Sequence, residues 1–245
     1  MTGAMAPVLL EVDGLVKRFG GFTALNRVSL SVKPGERFGL IGPNGSGKTT
    51  LINCVSGSLA ADGGRIRFEG HDITTLAPHR RTRLGIVRSF QIPKPFTSMT
   101  VLENLDIPLE YATHGRAHAG SADEEAKEIL RAIGLEQKAH LRPAGLTQIE
   151  MRKLELARAM AARPKLLISD EAMAGLSSAE VDDILAILFR LNEQGITIIM
   201  IEHIMRAVMR FSERIVVLDA GERIAEGTPE EIVRNPDVEK AYLGE

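Results

Sequence analysis

The stretch Gly42-Pro43-Asn44-Gly45-Ser46-Gly47-Lys48-Thr49-Thr50 limits what this chain can fold into more than any other. It fits the pattern G-x-x-x-x-G-K-[ST]. The run before it, Arg37-Phe38-Gly39-Leu40-Ile41, reads as a buried strand, and the run after it, Leu51-Ile52-Asn53-Cys54-Val55, as a continuing helix. Strand, glycine-rich turn and helix form the context in which the pattern cradles phosphate. The glycines let the backbone wrap closely around phosphate oxygens with its amides pointing inward, and the new helix adds its positive end. Lys48 then reaches the outer phosphates, and the Thr49 hydroxyl ligates Mg²⁺. Nucleotide binding is the expectation.

The 245 residues suit one large domain, or a domain with a subdomain. A net charge of -2 gives no global reason to expect a nucleic-acid partner. Cys54 is the only cysteine, so no intramolecular disulfide forms; a reducing compartment and a packed, unreactive thiol are expected. Met1 to Pro7 lacks the basic and apolar regions of a signal peptide. No apolar run approaches the roughly 20 residues of a spanning helix, so at a membrane another chain would do the spanning.

From Val8 to about Glu69, short apolar runs alternate with turns such as Pro34-Gly35 and Ala61-Asp62-Gly63-Gly64. Val28 to Val32 alternates with period 2, and an antiparallel sheet is expected there. From about Thr100 the texture turns helical. Tyr111 to Gly120 reads as a loop, Ser121 with Glu124 as a capping box, and Thr147 with Glu150 as a second. Beyond residue 160, Leu166-Leu167-Ile168 and Ile196 to Ile201 read as strands separated by a helix that Ser177 and Glu180 cap, which implies a parallel sheet. Arg214 to Leu218 and Arg223 to Ala225 flank a turn, and Thr228-Pro229-Glu230-Glu231 opens a last helix.

Ligands of parallel sheets bind at the carboxyl ends of the strands. Three ends carry chemistry: the phosphate loop, Asp170-Glu171 and His203. An Asp after an apolar strand is the usual Mg²⁺-holding partner of a phosphate loop, and an adjacent Glu can polarise a water for attack on the γ-phosphate. A lone His is more often structural, but its strand-end position favours phosphate sensing.

With these residues in place, the chain resembles the nucleotide-binding subunits of ABC transporters over nearly its whole length and in the family's motif order. Residues 42–49 match the Walker A loop, Leu166 to Asp170 match Walker B, and Ala174 to Ser177 match the D-loop. The resemblance implies Glu171 as catalytic glutamate, His203 as switch histidine, and Lys48 as the third catalytic group. Phe19 would stack on adenine, and Gln91 would touch both Mg²⁺ and the transmembrane partner. The implied nucleotide contacts are Phe19, Gly42, Pro43, Asn44, Gly45, Ser46, Gly47, Lys48, Thr49, Thr50, Gln91, Asp170 and Thr147, with Thr49, Gln91 and Asp170 as metal ligands. ATP and Mg²⁺ are the implied cofactors. The implied fold is an α/β P-loop ATPase with a parallel core sheet. Residues 1–92 and 161–245 would form that core with an antiparallel β subdomain, and residues 93–160 a helical subdomain. Arg18 to Gly21, Arg88-Ser89-Phe90-Gln91, Ile201-Glu202-His203 and the ending Ala241-Tyr242-Leu243-Gly244-Glu245 resemble the branched-chain amino acid importer type.

The chain departs from the family where its signature, commonly Leu-Ser-Gly-Gly-Gln, should fall: Leu146-Thr147-Gln148-Ile149-Glu150. Ile149 stands in place of the second glycine, where a β-branched side chain could obstruct the approach to a γ-phosphate. Ser169, Ala172 and Ser177 also depart. Subfamily drift with function retained explains this, as does a heterodimer with one strong and one weak site. The reading overall is an ATPase subunit powering an importer of branched-chain amino acids or similar small polar solutes. It would work as a homo- or heterodimer with transmembrane permease subunits and, indirectly, a substrate-binding protein, on the cytoplasmic face of the inner membrane. Pro93-Lys94-Pro95-Phe96 would suit a docking groove or be an ordinary rigid loop. The alternatives are a lipid or lipopolysaccharide exporter subunit, a soluble ABC ATPase, and a regulatory module that holds ATP without turnover.

Overall fold

The computed structural model describes residues 8–89, 93–113 and 119–243, with only the backbone described at 112, 113 and 119–121. Gln91, Phe90, Gly244, Glu245 and Met1 to Pro7, all invoked above, lie outside the described residues.

The chain opens with β1 (Leu10–Phe19), β2 (Phe22–Val32) and β3 (Arg37–Ile41), then α1 (Lys48–Ser56), β4 (Gly63–Phe68), β5 (His71–Asp72), α2 (Pro78–Leu84) and β6 (Ile86–Ser89). Three helices follow: α3 (Glu103–Thr113), α4 (Ala119–Ile133) and α5 (Gln148–Ala161). The rest is β7 (Leu166–Asp170), α6 (Ser178–Glu193), β8 (Thr197–Ile201), α7 (Met205–Phe211), β9 (Arg214–Asp219), β10 (Glu222–Gly227), α8 (Pro229–Val233) and α9 (Pro236–Leu243). One sheet is antiparallel in the order β2-β1-β4-β5, and the other runs β10-β9-β3-β8-β7-β6. In the second, β3, β6, β7, β8 and β9 are mutually parallel and β10 is antiparallel to β9.

The parallel strands read as continuous apolar runs because both faces of their sheet are covered. Alternate side chains serve two different cores. Ile41, Leu167, Ile198, Met200, Ile215 and Val217 pack with α3 to α7, while Leu40, Leu166, Ile168, Ile199, Val216 and Leu218 pack with α1 and the antiparallel sheet. Cys54, on α1, is buried in the second core.

The helix starts are chemically signed. Capping boxes at Thr147/Glu150, Ser177/Glu180 and Thr228/Glu231 open α5, α6 and α8. Ser177, a departure from the family's D-loop, is thereby the N-cap of α6. Three expectations need correction. Helix α3 runs through Tyr111 to Thr113 and α4 begins at Ala119, so the expected loop is helical at both ends, and residues 114–118 lie outside the described residues. Helix α4 starts at Ala119, two residues before Ser121, so the Ser121/Glu124 pair lies inside its first turns; Glu124 instead accepts from Lys127 at 3.3 Å. Helix α2, with Pro78 at its first position, and β5 are additional to the expected elements, and the helix opened at Thr228 is not the last, because α9 follows it. The buried Arg81 of α2 donates to the carbonyls of Leu76, Thr74, Cys54 and Val55, neutralising the negative end of α1.

Candidate nucleotide site

The loop between β3 and α1 is held on three sides. A Cβ on Gly42, at φ +149°, would lie 2.0 Å from the Leu218 carbonyl oxygen of β9. One on Gly47, at φ +103°, would lie 2.7 Å from the Ala24 carbonyl oxygen of β2. From the turn after β9, Gly221 N–H donates to Ser46 O at 3.1 Å. Within the loop, Lys48 Nζ donates to Gly42 O at 2.7 Å and Pro43 O at 2.9 Å. Burial lowers the Lys48 pKa, and the charges of Glu171 and Asp170 oppose that shift.

A cleft of about 280 Å³ opens over this loop. Residues 44–50 floor it, Phe19, Phe22 and Ala24 wall one side, and Glu171 and His203 wall another. Phe19 and Phe22 face each other in the β1–β2 register and are 49% and 62% exposed. Large exposed aromatics at a cleft suit a flat base. Phe22 was not singled out from the sequence, though it flanks the Gly20-Gly21 turn just as Phe19 does. Two larger clefts, of about 390 and 570 Å³, include Pro164 and Ile196 at the amino ends of β7 and β8, the wrong end of a parallel sheet for ligands.

Just past the end of β7, Glu171 is held at φ +49°, a left-handed conformation costing a non-glycine residue about 1 kcal/mol or more. The turn is pinned at several points. Glu171 N–H donates to Ile201 O at 2.9 Å, and Met173 N–H donates to Glu202 Oε1 at 2.8 Å. His203 Nε2 and Glu171 Oε1 are 2.8 Å apart. A carboxylate so bonded to an imidazole at a cleft can orient and polarise a water.

Glu202 is 3% exposed, and burial pushes its carboxyl up to about 7, against the Met173 hydrogen bond. The folded chain therefore holds this proton more tightly than the unfolded chain, where the group titrates near 4.5. The resulting stability is fully present below about pH 4.5 and is lost as pH rises through about 7. Urea unfolding between pH 5 and 7.5 should register a loss of roughly 2 kcal/mol that Glu202→Gln removes. A slope that survives the substitution would show that Glu202 is not its source.

Asp170 is 7% exposed and is not among the residues lining the cleft. It sits at the end of β7, paired with Arg88 of β6, a residue singled out above only as part of a subtype motif. Thr49 lines the cleft. A hydroxyl and a carboxylate are hard oxygen donors that suit Mg²⁺, which takes one or two protein ligands and fills its shell with water and phosphate. Among the described residues there is no cluster of three or more His, Cys, Asp or Glu placed to hold a metal.

Thr147 is not part of this cleft. Its backbone N–H donates to Glu150 Oε2 at 2.8 Å at the start of α5, and Glu150 also pairs with Lys138 at 2.7 Å. Ile149 is half-buried against the helical core, which accounts for an apolar residue at that position. The Phe96 loop is anchored within its own chain. Arg158 stacks 5.0 Å from the ring and donates to Lys94 O at 2.8 Å, and Phe96 N–H donates to Asn104 Oδ1 at 2.8 Å. Ser169 is fully buried, and its hydroxyl has no hydrogen-bond partner among the described residues.

Residues 25–174 match the family model described as ABC transporter, and residues 222–245 match that of the branched-chain amino acid ATP-binding cassette transporter. The sequence is 41% identical to the high-affinity branched-chain amino acid transport ATP-binding protein BraF of Pseudomonas aeruginosa, across 98% of this chain and 100% of that protein. The fold is similar to the ADP conformation of MJ1267, an ATP-binding cassette of an ABC transporter. That match has a TM-score of 0.88 at 36% identity and covers 99% of this chain and 100% of that one. It is also similar to the dimeric structure of MJ0796, a bacterial ABC transporter cassette, with a TM-score of 0.82 at 27% identity over 90% of this chain and 99% of that one.

Proposed function

This chain belongs to the ABC transporter family of ATP-binding subunits, and from that premise we propose that it powers the import of branched-chain amino acids or similar small polar solutes. It is an ATPase subunit. One observation carries the chemistry: a single cleft unites the phosphate loop, an aromatic wall, and a carboxylate hydrogen-bonded to an imidazole. The cargo rests on the likeness to BraF over the full chain and on the match of residues 222–245.

In this reading Phe19, joined by Phe22, stacks on adenine, and the amides of residues 42–47 with the N-terminus of α1 cradle the phosphates. Lys48 exchanges the Gly42 and Pro43 carbonyls for the outer phosphate oxygens. Thr49 and Asp170, with Gln91, would hold Mg²⁺, which would supply neutralisation of the charge developing on the transferred phosphate. Glu171 polarises the attacking water, and His203 orients Glu171 and senses the γ-phosphate. Thr147, at the N-terminus of α5, serves the ATP held by a partner cassette, as a second copy or a related subunit. Closure of two cassettes would be passed to permease subunits at the cytoplasmic membrane face, with a substrate-binding protein delivering cargo. No helix among the described residues is long and apolar enough to cross a membrane.

The test is reconstitution of the chain with its permease and binding protein in liposomes loaded with ATP and Mg²⁺. Uptake of labelled leucine, isoleucine or valine that stops when Glu171→Gln replaces the native subunit is expected. ATPase stimulation by an unrelated solute, with none by these three, would overturn the cargo assignment.

A further inference from the structure

Arg88 lies on β6, and its guanidinium reaches across two other elements. Nε donates to Asp170 Oδ2 at 3.1 Å, and Nη2 donates to the same oxygen. Nη1 donates to Asn53 Oδ1 at 2.6 Å. Asn53 stands on α1 four residues after Thr49, one helical turn along the same face. The Arg88 and Asp170 side chains are 13% and 9% exposed. A carboxylate so buried needs a hydrogen-bonding partner, and the guanidinium supplies it. Both donors of the fork use Oδ2, which leaves Oδ1 outside this pair. The guanidinium thus joins the strand that carries Asp170 to the helix that carries Thr49.

We propose that Arg88 is a positioning residue for the Mg²⁺-holding pair: its planar fork fixes the Asp170 carboxylate and, through Asn53, the helical turn that presents Thr49. The inference rests on the Mg²⁺ reading above. Lysine would keep the charge but not the fork, so the two contributions can be separated.

The test is the equilibrium binding of a fluorescent ADP analogue to the full chain, titrated with Mg²⁺ and requiring no turnover. The variants are Arg88→Lys, Arg88→Met and Asn53→Ala, with melting curves to establish folding. The wild type should show a clear Mg²⁺ midpoint. Both Arg88 variants should need about tenfold more Mg²⁺, the usual scale for losing a group that orients a metal ligand, while binding in EDTA stays unchanged. Asn53→Ala, which keeps the ion pair, should shift the midpoint the same way by less. Superimposable curves would reduce Arg88 to a structural ion pair and overturn the proposal. So would a wild-type midpoint for Arg88→Lys beside a shifted one for Arg88→Met, which would assign the effect to charge. Tighter Mg²⁺ binding in both would make the guanidinium a competitor. If Arg88→Met fails to fold, Arg88→Lys and Asn53→Ala decide the matter. A wild-type curve flat in Mg²⁺ would remove the metal reading itself and the inference with it, whereas a wild-type midpoint with unshifted variants would remove the inference alone.

Discussion

Replacing Glu171 with glutamine should stop ATP hydrolysis while leaving ATP binding intact. Glutamine has the same shape and can still hydrogen-bond to His203 and keep the pinned turn. It loses the negative charge that polarises water and the capacity to take a proton. A positioned general base contributes roughly 10²- to 10⁴-fold, so phosphate release should fall by that factor. The phosphate loop, Lys48 and the aromatic wall are untouched, so equilibrium ATP binding should stay within about twofold of the wild type. Glu171→Ala is a poorer probe, because it also deletes the contact that holds His203. Phosphate release by Glu171→Gln within a few-fold of the wild type would move the base elsewhere.

The second large effect concerns stability. Adding one methyl at Gly42 would place it 2.0 Å from the Leu218 carbonyl and 2.6 Å from Ser46 Oγ, at a φ of +149°. The carbonyl belongs to β9, hydrogen-bonded neighbour of β3, so it cannot retreat without disturbing the sheet. Gly42→Ala should therefore cost several kcal/mol, in the range of about 4–5 reserved for backbone clashes and strain. At roughly 2–4 °C per kcal/mol for a chain of this size, melting should fall by about 10 °C or more, with nucleotide binding lost. Gly45→Ala is the matched control. Gly45 has φ +80° but nothing within 4 Å of the added atom, so only the left-handed conformation is penalised, by about 1–2 kcal/mol. Equal melting points for the two alanine variants would show that the loop relaxes around Gly42 and that the clash is not decisive.

What the sequence revealed, and what it hid, divides by the range of the interaction. The phosphate loop, the three capping boxes at Thr147, Ser177 and Thr228, and the apolar parallel strands are local patterns, complete within a few residues. They are found where expected. A fourth box was passed over: Thr100 N–H donates to Glu103 Oε2 at 2.7 Å just before α3, although its spacing is the same. The Ser121/Glu124 pair had the right spacing in the wrong place, because the same residue types occur inside helices. The missed partners are separated widely in the chain. Arg88 meets Asp170 across 82 positions, and Glu202 reaches Met173 across 29. No periodicity reports such a contact, since only the parallel register of β6, β7 and β8 brings these side chains together. Ile149 departs from the family motif, and its packing against the helical core is likewise a contact no local pattern reports.

The two-faced central sheet bears on how such a sequence can drift. Leu167 and Ile168 are adjacent in the chain, yet one packs with the helices and the other with α1 and the antiparallel strands. A volume lost at Leu167 would be restored by a change within the helical core, and one lost at Ile168 by a change within the core of α1 and the antiparallel sheet. Epistasis in this protein should therefore skip the neighbouring residue and leap across the sequence, and each strand is a boundary between two separately evolving halves of the interior.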